Sequence, residues 1–164
     1  MAQGDAAKQT KDMADFNAIR IGDGLDPVKP VMHLNLFVDL DPVRAREVGR
    51  QYLKNFYSAT LDHYQRLEPE VFQAAGNYAE TATIAERNSR RDREELLEDM
   101  ASIQPVGTPD QVLEQVRARF ETVDPAEFGF CLRFGGMDWA ETERNVRAVA
   151  EILPTIKSWT PVTT

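Results

Sequence analysis

The chain has 164 residues, enough for one domain with a core of its own. It carries 27 acidic against 19 basic residues, a net charge of -8, which argues against nucleic acid or an anionic membrane as partner, because phosphate surfaces attract clustered Lys and Arg. A single cysteine, Cys131, excludes an intramolecular disulfide and fits a reducing cytoplasm, and no run of about 18 apolar residues is present to span a membrane.

The start, MAQGDAAKQTKDM, has no apolar stretch of the signal-peptide kind, and residues 1–10 are expected to be loosely held. Met13, Phe16 and Ile19 fall at helical spacing, which predicts a short amphipathic helix ended by Gly22-Asp23-Gly24. Residues 1–30 thus read as a lead-in.

Val31 to Leu40 predicts a strand, with Leu34, Leu36 and Val38 facing one way and His33, Asn35 and Phe37 the other. Few polar breaks indicate a strand covered on both faces, as in a parallel sheet. Asp41 is placed as N-cap and Pro42 as the first residue of a long helix. Its expected buried side is Val43, Ala45, Val48, Tyr52, Leu53, Phe56 and Ala59. Residues 61–101 read as a helical excursion broken near Pro69 and Gly76, with Leu96 and Leu97 buried in its last helix. It is too long for an ordinary connection, and a lid or an oligomer contact is expected of it. The arginines 87, 90, 91 and 93 alternate with acids and read as a solvated face.

From Gln104 to Met137 the pattern sharpens. Gln104 to Val106 reads as a very short strand. Thr108, Pro109 and Gln111 form a capping box before a helix on Val112, Leu113, Val116 and Phe120. Phe128, Phe130, Leu132 and Phe134 then alternate with Gly129, Cys131 and Arg133, a strand stopped by Gly135-Gly136. Asp138 caps a closing helix from Ala140 to Lys157 that buries Val146, Val149, Ala150, Ile152 and Leu153; Pro154 is expected to kink or end it. Trp159 is placed to pack back, and residues 160–164 read as tail. Alternating helices and strands give an α/β class.

Several residues are candidates for chemistry. His33 sits near the start of its strand, the structural end of a parallel sheet, and reads as a core or interface histidine. His63 leaves the long helix beside Tyr64; it reads as a proton carrier or as a partner of the helix C-terminus. Two distant histidines, and acids at 68, 70, 94, 95, 98 and 99 without ligand spacing, indicate no metal site. Cys131, flanked by phenylalanines with no base nearby, reads as a small buried hydrophobe. The glycines form neither a dinucleotide fingerprint nor a phosphate loop. Arg133 meets a ligand anion or pairs with an acid such as Glu143, and the spacing leaves both open.

VGTPDQVLEQV followed by LRFGGMDWAETERNVRAVAEILP resembles the C-terminal end of the bacterial-luciferase-like flavin monooxygenases. ADFNAIR, HLNLFV at 33–38 and NFYSATLDHY at 55–64 resemble one subgroup of that family, in the same order. The resemblance implies a partial (β/α)8 TIM barrel over residues 31–160, with 61–101 over the barrel mouth. It implies a flavin, FMN or the deazaflavin F420, an organic substrate and molecular oxygen. Arg133, Gly135, Gly136 and Met137 become the expected pocket wall, and His63 and Tyr64 the expected lid. A whole barrel needs about 250 residues, so the resemblance implies a fragment, a half-length relative or half of a split protein. A flavin reductase, and a chain supplying the N-terminal barrel half or further copies of this chain, are the expected partners. The other reading is a non-catalytic binding or assembly module. A half-barrel is expected to expose an apolar interior and so to form a homo-oligomer, with Phe37, Phe128, Phe130 and Phe134 in its interface or core.

Overall fold

In a computed structural model, residues 6–74 and 78–159 are described. The expectations for residues 1–5, Gly76 and the 160–164 tail lie outside them. The elements are α1 (Ala6–Gly22), β1 (Val31–Asn35), β2 (Phe37–Val38), α2 (Pro42–His63), α3 (Pro69–Ala74), α4 (Ala79–Ser89), α5 (Arg93–Ser102), β3 (Val106–Gly107), α6 (Pro109–Val123), β4 (Glu127–Cys131) and α7 (Trp139–Lys157).

The expected caps are in place. Asp41 accepts the Val43 and Arg44 N–H groups at 2.8 and 3.2 Å. Gln111 reaches back to the Thr108 N–H at 3.0 Å, and Asp138 accepts the Glu141 N–H at 2.7 Å. The lead-in helix is longer than its apolar spacing indicated, running from Ala6 to Gly22 with no buried residue. Its length comes from exposed partners such as Lys8–Asp12 and Lys11–Asp15, each one turn apart. α7 continues through Pro154 to Lys157.

β1 pairs with β4 in parallel, Leu34 opposite Phe130, and β2 pairs with β3, Phe37 opposite Val106. Leu36 joins the two pairings. Its N–H donates to Cys131 at 3.1 Å, while the Phe37 N–H donates to Pro105 at 3.2 Å. Successive amides of an extended chain point to opposite edges, so β4 and β3 flank residues 31–38 on either side. Consecutive barrel units would instead place β3 between the other two.

The layers differ from a barrel as well. Met32, Leu34, Leu36 and Val38 are buried with Val112, Val116 and Val123 of α6 and with Val149 and Ile152 of α7. On the other face, Phe37 is buried with Leu53, Tyr57 and Leu61 of α2, with Leu96 and Leu97 of α5, and with Phe134 and Met137. Helices therefore lie on both faces. The α/β class holds, and the described residues form no closed barrel.

The buried face of α2 is Ala45, Gly49, Leu53, Tyr57 and Leu61. Val43, expected inside, is 51% exposed. Gly49 explains the shift: a Cβ there would strike the Phe37 ring and Val106, so the helix turns its glycine inward to bring its backbone onto the strand. α7 is rotated in the same way. It buries Glu141, Thr142, Asn145, Val149 and Ile152, while Val146 and Ala150 face solvent.

Candidate functional site

Three amide side chains complete a sheet that its strands leave short. Gln104 accepts the Asn35 N–H at 2.8 Å. Asn145, on α7, accepts the Val38 N–H at 2.9 Å and donates to the carbonyls of Leu36 and Leu132 at 2.8 and 3.0 Å. Gln115, on α6, donates to the Val106 carbonyl at 3.0 Å along the outer edge of β3. Each covers main-chain groups that would otherwise be buried without a partner or left as an open edge.

Beside Asn145, at the carboxyl ends of the strands, lies a charged cluster. Arg44 bridges Asp39 and Glu141, and Arg144 reaches Glu141 at 2.7 Å. Glu141 is almost fully buried. Burial pushes its carboxyl up, but the Arg44 and Arg144 guanidiniums outweigh burial and hold it below the usual carboxylate range. The spacing in the sequence showed Glu141 only as part of a helix cap; its ion-pair role depends on α2 and α7 meeting, which no local pattern encodes.

The expected pocket wall follows β4. Gly135 and Gly136 have φ of 58° and 84°, the left-handed region. A Cβ on Gly135 would collide with the Tyr52 carbonyl oxygen of α2, whereas Gly136 has open space. The Gly135 carbonyl accepts from Asn55 at 3.3 Å. The corner is thus a close-packed turn against α2. Met137 is buried in the core rather than lining an opening. Arg133 does not pair with Glu143: its guanidinium sits 4.2 Å from the centre of the Trp139 ring, and Glu143 pairs with Arg147 at 2.6 Å. Trp139 is 72% exposed, so the corner presents an arginine stacked on an indole.

His63 and Tyr64 are exposed at the far end of α2, ring centres 4.7 Å apart. His63 lies eight residues beyond Asn55, about 12 Å along the helix axis, so the structure does not bring the expected lid pair to the corner.

His33 and Cys131 are both exposed, which corrects the buried reading of Cys131 and the core alternative for His33. The reason is shared. α2 and α5 cover Phe37 but stop short of the amino half of the sheet, leaving Val31, His33, Gly129 and Cys131 on an uncovered face. The imidazole lies over Gly129, where a Cβ would clash with Nδ1. This uncovered face is small and polar. The phenylalanines Phe128 and Phe130 point the other way, towards α6 and Trp159.

A flavin phosphate finds little purchase at the strand ends. Three helices begin there: α2 and α7 are capped by the carboxylates of Asp41 and Asp138, which repel an anion, and α6 is closed by the Thr108–Gln111 capping box. Arg44 and Arg144 are taken by Asp39 and Glu141, which leaves Arg133, stacked on Trp139, as the cation of the corner without an acid partner. The residues present do not fit the group. Among the described residues, no cluster of His, Cys, Asp and Glu is arranged to hold a metal ion, and no helix is long and apolar enough to cross a membrane.

The crystal structure of the monooxygenase RslO1 from Streptomyces bottropensis is similar over 94% of this chain and 40% of that one, with a TM-score of 0.54 and 18% identity. The likeness is one of fold. No protein-family model matches the chain. Among curated proteins, the preterminal protein of snake adenovirus serotype 1 is 27% identical over 95 residues, 56% of this chain and 15% of that protein. The chain spans less than half of either relative.

Proposed function

We propose that this chain is the C-terminal part of a luciferase-like flavin monooxygenase, a (β/α)8 protein whose complete form oxidises an organic substrate with molecular oxygen. The carrying observation is the fold likeness to two-fifths of a monooxygenase along nearly the whole chain. The family-like segments from ADFNAIR to the F-G-G corner stand beside it, in order. In the complete protein reduced FMN or F420 supplies the oxygen chemistry. This chain supplies wall rather than cofactor grip. Gly135 fixes the corner on α2, Arg133 and Trp139 flank it, and His33, Gly129 and Cys131 line the uncovered face. The cofactor phosphate is then held by residues outside this chain, from a partner that carries the N-terminal barrel half. In a barrel a preceding strand would take the edge of residues 31–38 away from β3. Here β4 takes that edge, which is what an unpaired strand edge invites.

The test adds FMN or F420, a flavin reductase and reduced nicotinamide to the chain, then desalts. The chain alone should retain no chromophore. Co-expressed with the polypeptide of an adjoining reading frame that encodes the missing strands, it should co-purify, retain chromophore and consume oxygen. A pair that co-purifies without chromophore would sink the proposal.

The second reading, a non-catalytic binding or assembly module, is favoured by the acid-capped helix ends and by cores sealed on both faces. It expects a folded chain that never gains flavin from any partner.

A further inference from the structure

α1 and the connector behind it form a ledge whose apolar residues are left open. α1 lies along α6, with Thr10 donating to the Thr122 carbonyl at 3.0 Å. The side it half-buries carries Gln9, Met13, Asn17 and Arg20 and is mostly polar. Phe16 and Ile19 lie beside it, one turn apart. Gly24, with φ of 77°, ends the helix in a left-handed turn. Its N–H donates to the Ile21 carbonyl at 3.0 Å, and the Leu25 N–H donates to the Arg20 carbonyl at 2.9 Å. That pairing turns Leu25 back towards Ile19. The connector is then clamped to the helix. Asn17 both donates to and accepts from the Val28 main chain at 2.9 Å, and Arg20 donates to the Asp26 carbonyl at 2.9 Å. Phe16, Ile19, Leu25 and Val28 are each at least 40% exposed.

Apolar side chains gathered on a hydrogen-bonded platform, and left uncovered, mark a contact surface. Its charge says what covers it. Asp23 and Asp26 stand on the connector, and Glu127 lies opposite the exposed Val31, where the apolar line continues. Among the described residues none of these three acids makes an ion pair. The nearby cations are occupied: Lys29 is held by Asp124 at 2.5 Å, and Arg20 lies 5.8 Å from the centre of the Phe16 ring. A second copy would set the same carboxylates against their own kind, in a chain of net charge -8, and like charges across a contact oppose it. An anionic membrane is repelled for the same reason. The complement of this ledge is an apolar face bordered by Lys and Arg.

We infer that the ledge docks the polypeptide that carries the missing N-terminal barrel half, through a face of that polypeptide that is apolar at its centre and basic at its margin. The identity of the partner rests on the proposed function; the choice against a second copy rests on the charge of the ledge. The position agrees with it. The ledge leads through Val31 to the uncovered face of His33, Gly129 and Cys131, which the same polypeptide closes in the complete protein.

The pair made with the polypeptide of the adjoining reading frame tests the inference, with the ledge altered in this chain. Ile19→Asp together with Leu25→Asp changes exposed positions only, so the chain should keep its fold, which circular dichroism reads. Affinity within the pair, measured by calorimetry, should fall at least about tenfold. Val71→Asp, at an exposed position of α3, should leave it unchanged. Asp23→Lys together with Asp26→Lys keeps the ledge apolar; it should weaken the pair and flatten its salt dependence. Hydroxyl-radical footprinting of the parent pair should protect Phe16, Ile19 and Leu25 and leave Tyr78 reactive. Pairing at full strength by the folded Ile19 and Leu25 variant, or no protection of the ledge, overturns the inference and leaves the proposed function standing. A parent pair that never forms overturns both. Self-association of the chain alone, abolished by the same substitutions, gives the ledge to a second copy and overturns the inference.

Discussion

Asn145 and Leu36 lie 109 positions apart and are joined at 2.8 Å, the side-chain amide of the helix donating to the carbonyl of the strand. The same amide serves Val38 and Leu132. One side chain thus satisfies three main-chain groups where β4 has ended. Asn145→Leu should leave those groups buried and unpaired, costing about 3 kcal/mol. Urea denaturation would show it as a lowered midpoint with unchanged slope; a midpoint within error of the parent would refute it.

Stability should also depend on acid through Glu141. Its folded carboxyl titrates below the ordinary value of 4.5. The stabilisation is therefore present above about pH 4.5 and is lost as pH falls through the lower folded value. Glu141→Gln should cost about 2 kcal/mol at pH 7, and the gap between parent and variant should close on acidification. Thermal melts from pH 7 to pH 3 read this directly. A gap that stays constant would mean that the carboxylate charge contributes nothing.

The two corner glycines should separate cleanly. Gly135→Ala forces a Cβ against the Tyr52 carbonyl in addition to a left-handed backbone, and about 3 kcal/mol of destabilisation is expected. Gly136→Ala has the backbone cost without the collision, about 1 kcal/mol. Equal losses measured by denaturation would show that the corner is not packed on α2.

Cys131 should react with a thiol reagent such as dithiobis-nitrobenzoate in the native protein, one equivalent per chain, because the thiol is exposed. Reaction only after denaturation would restore the buried reading that the sequence suggested.

What was legible in the sequence was local. Alternation placed strands over Val31 to Leu40 and through the phenylalanines to Phe134, which the structure ends at Val38 and Cys131, and side-chain chemistry placed Asp41, Thr108 and Asp138 at helix starts. The turn at Gly135 and Gly136 was legible as the stop of the strand. What was hidden depends on neighbours. Period-two alternation says which residues share a face, not which strand lies alongside, so the pairing of β1 with β4 could not be read. Asn145 looks like an ordinary polar helix position until the end of β4 is known. Arg133 misses Glu143 because Trp139, six residues after it, folds back within reach. Cys131 shares its strand with phenylalanines that point to the opposite face, and only the reach of α2 and α5 decides that its own face stays open.

The side-chain amides have a kinetic consequence. Gln104 and Asn145 stand in lanes that further strands would occupy, and β4 holds the remaining flank of the central strand. A second polypeptide can join there only by exchange, after something already seated has left. Under the proposed function, this chain and a separately folded N-terminal half should then combine slowly, at a rate that levels off with concentration because departure limits it, whereas the two made together avoid the wait.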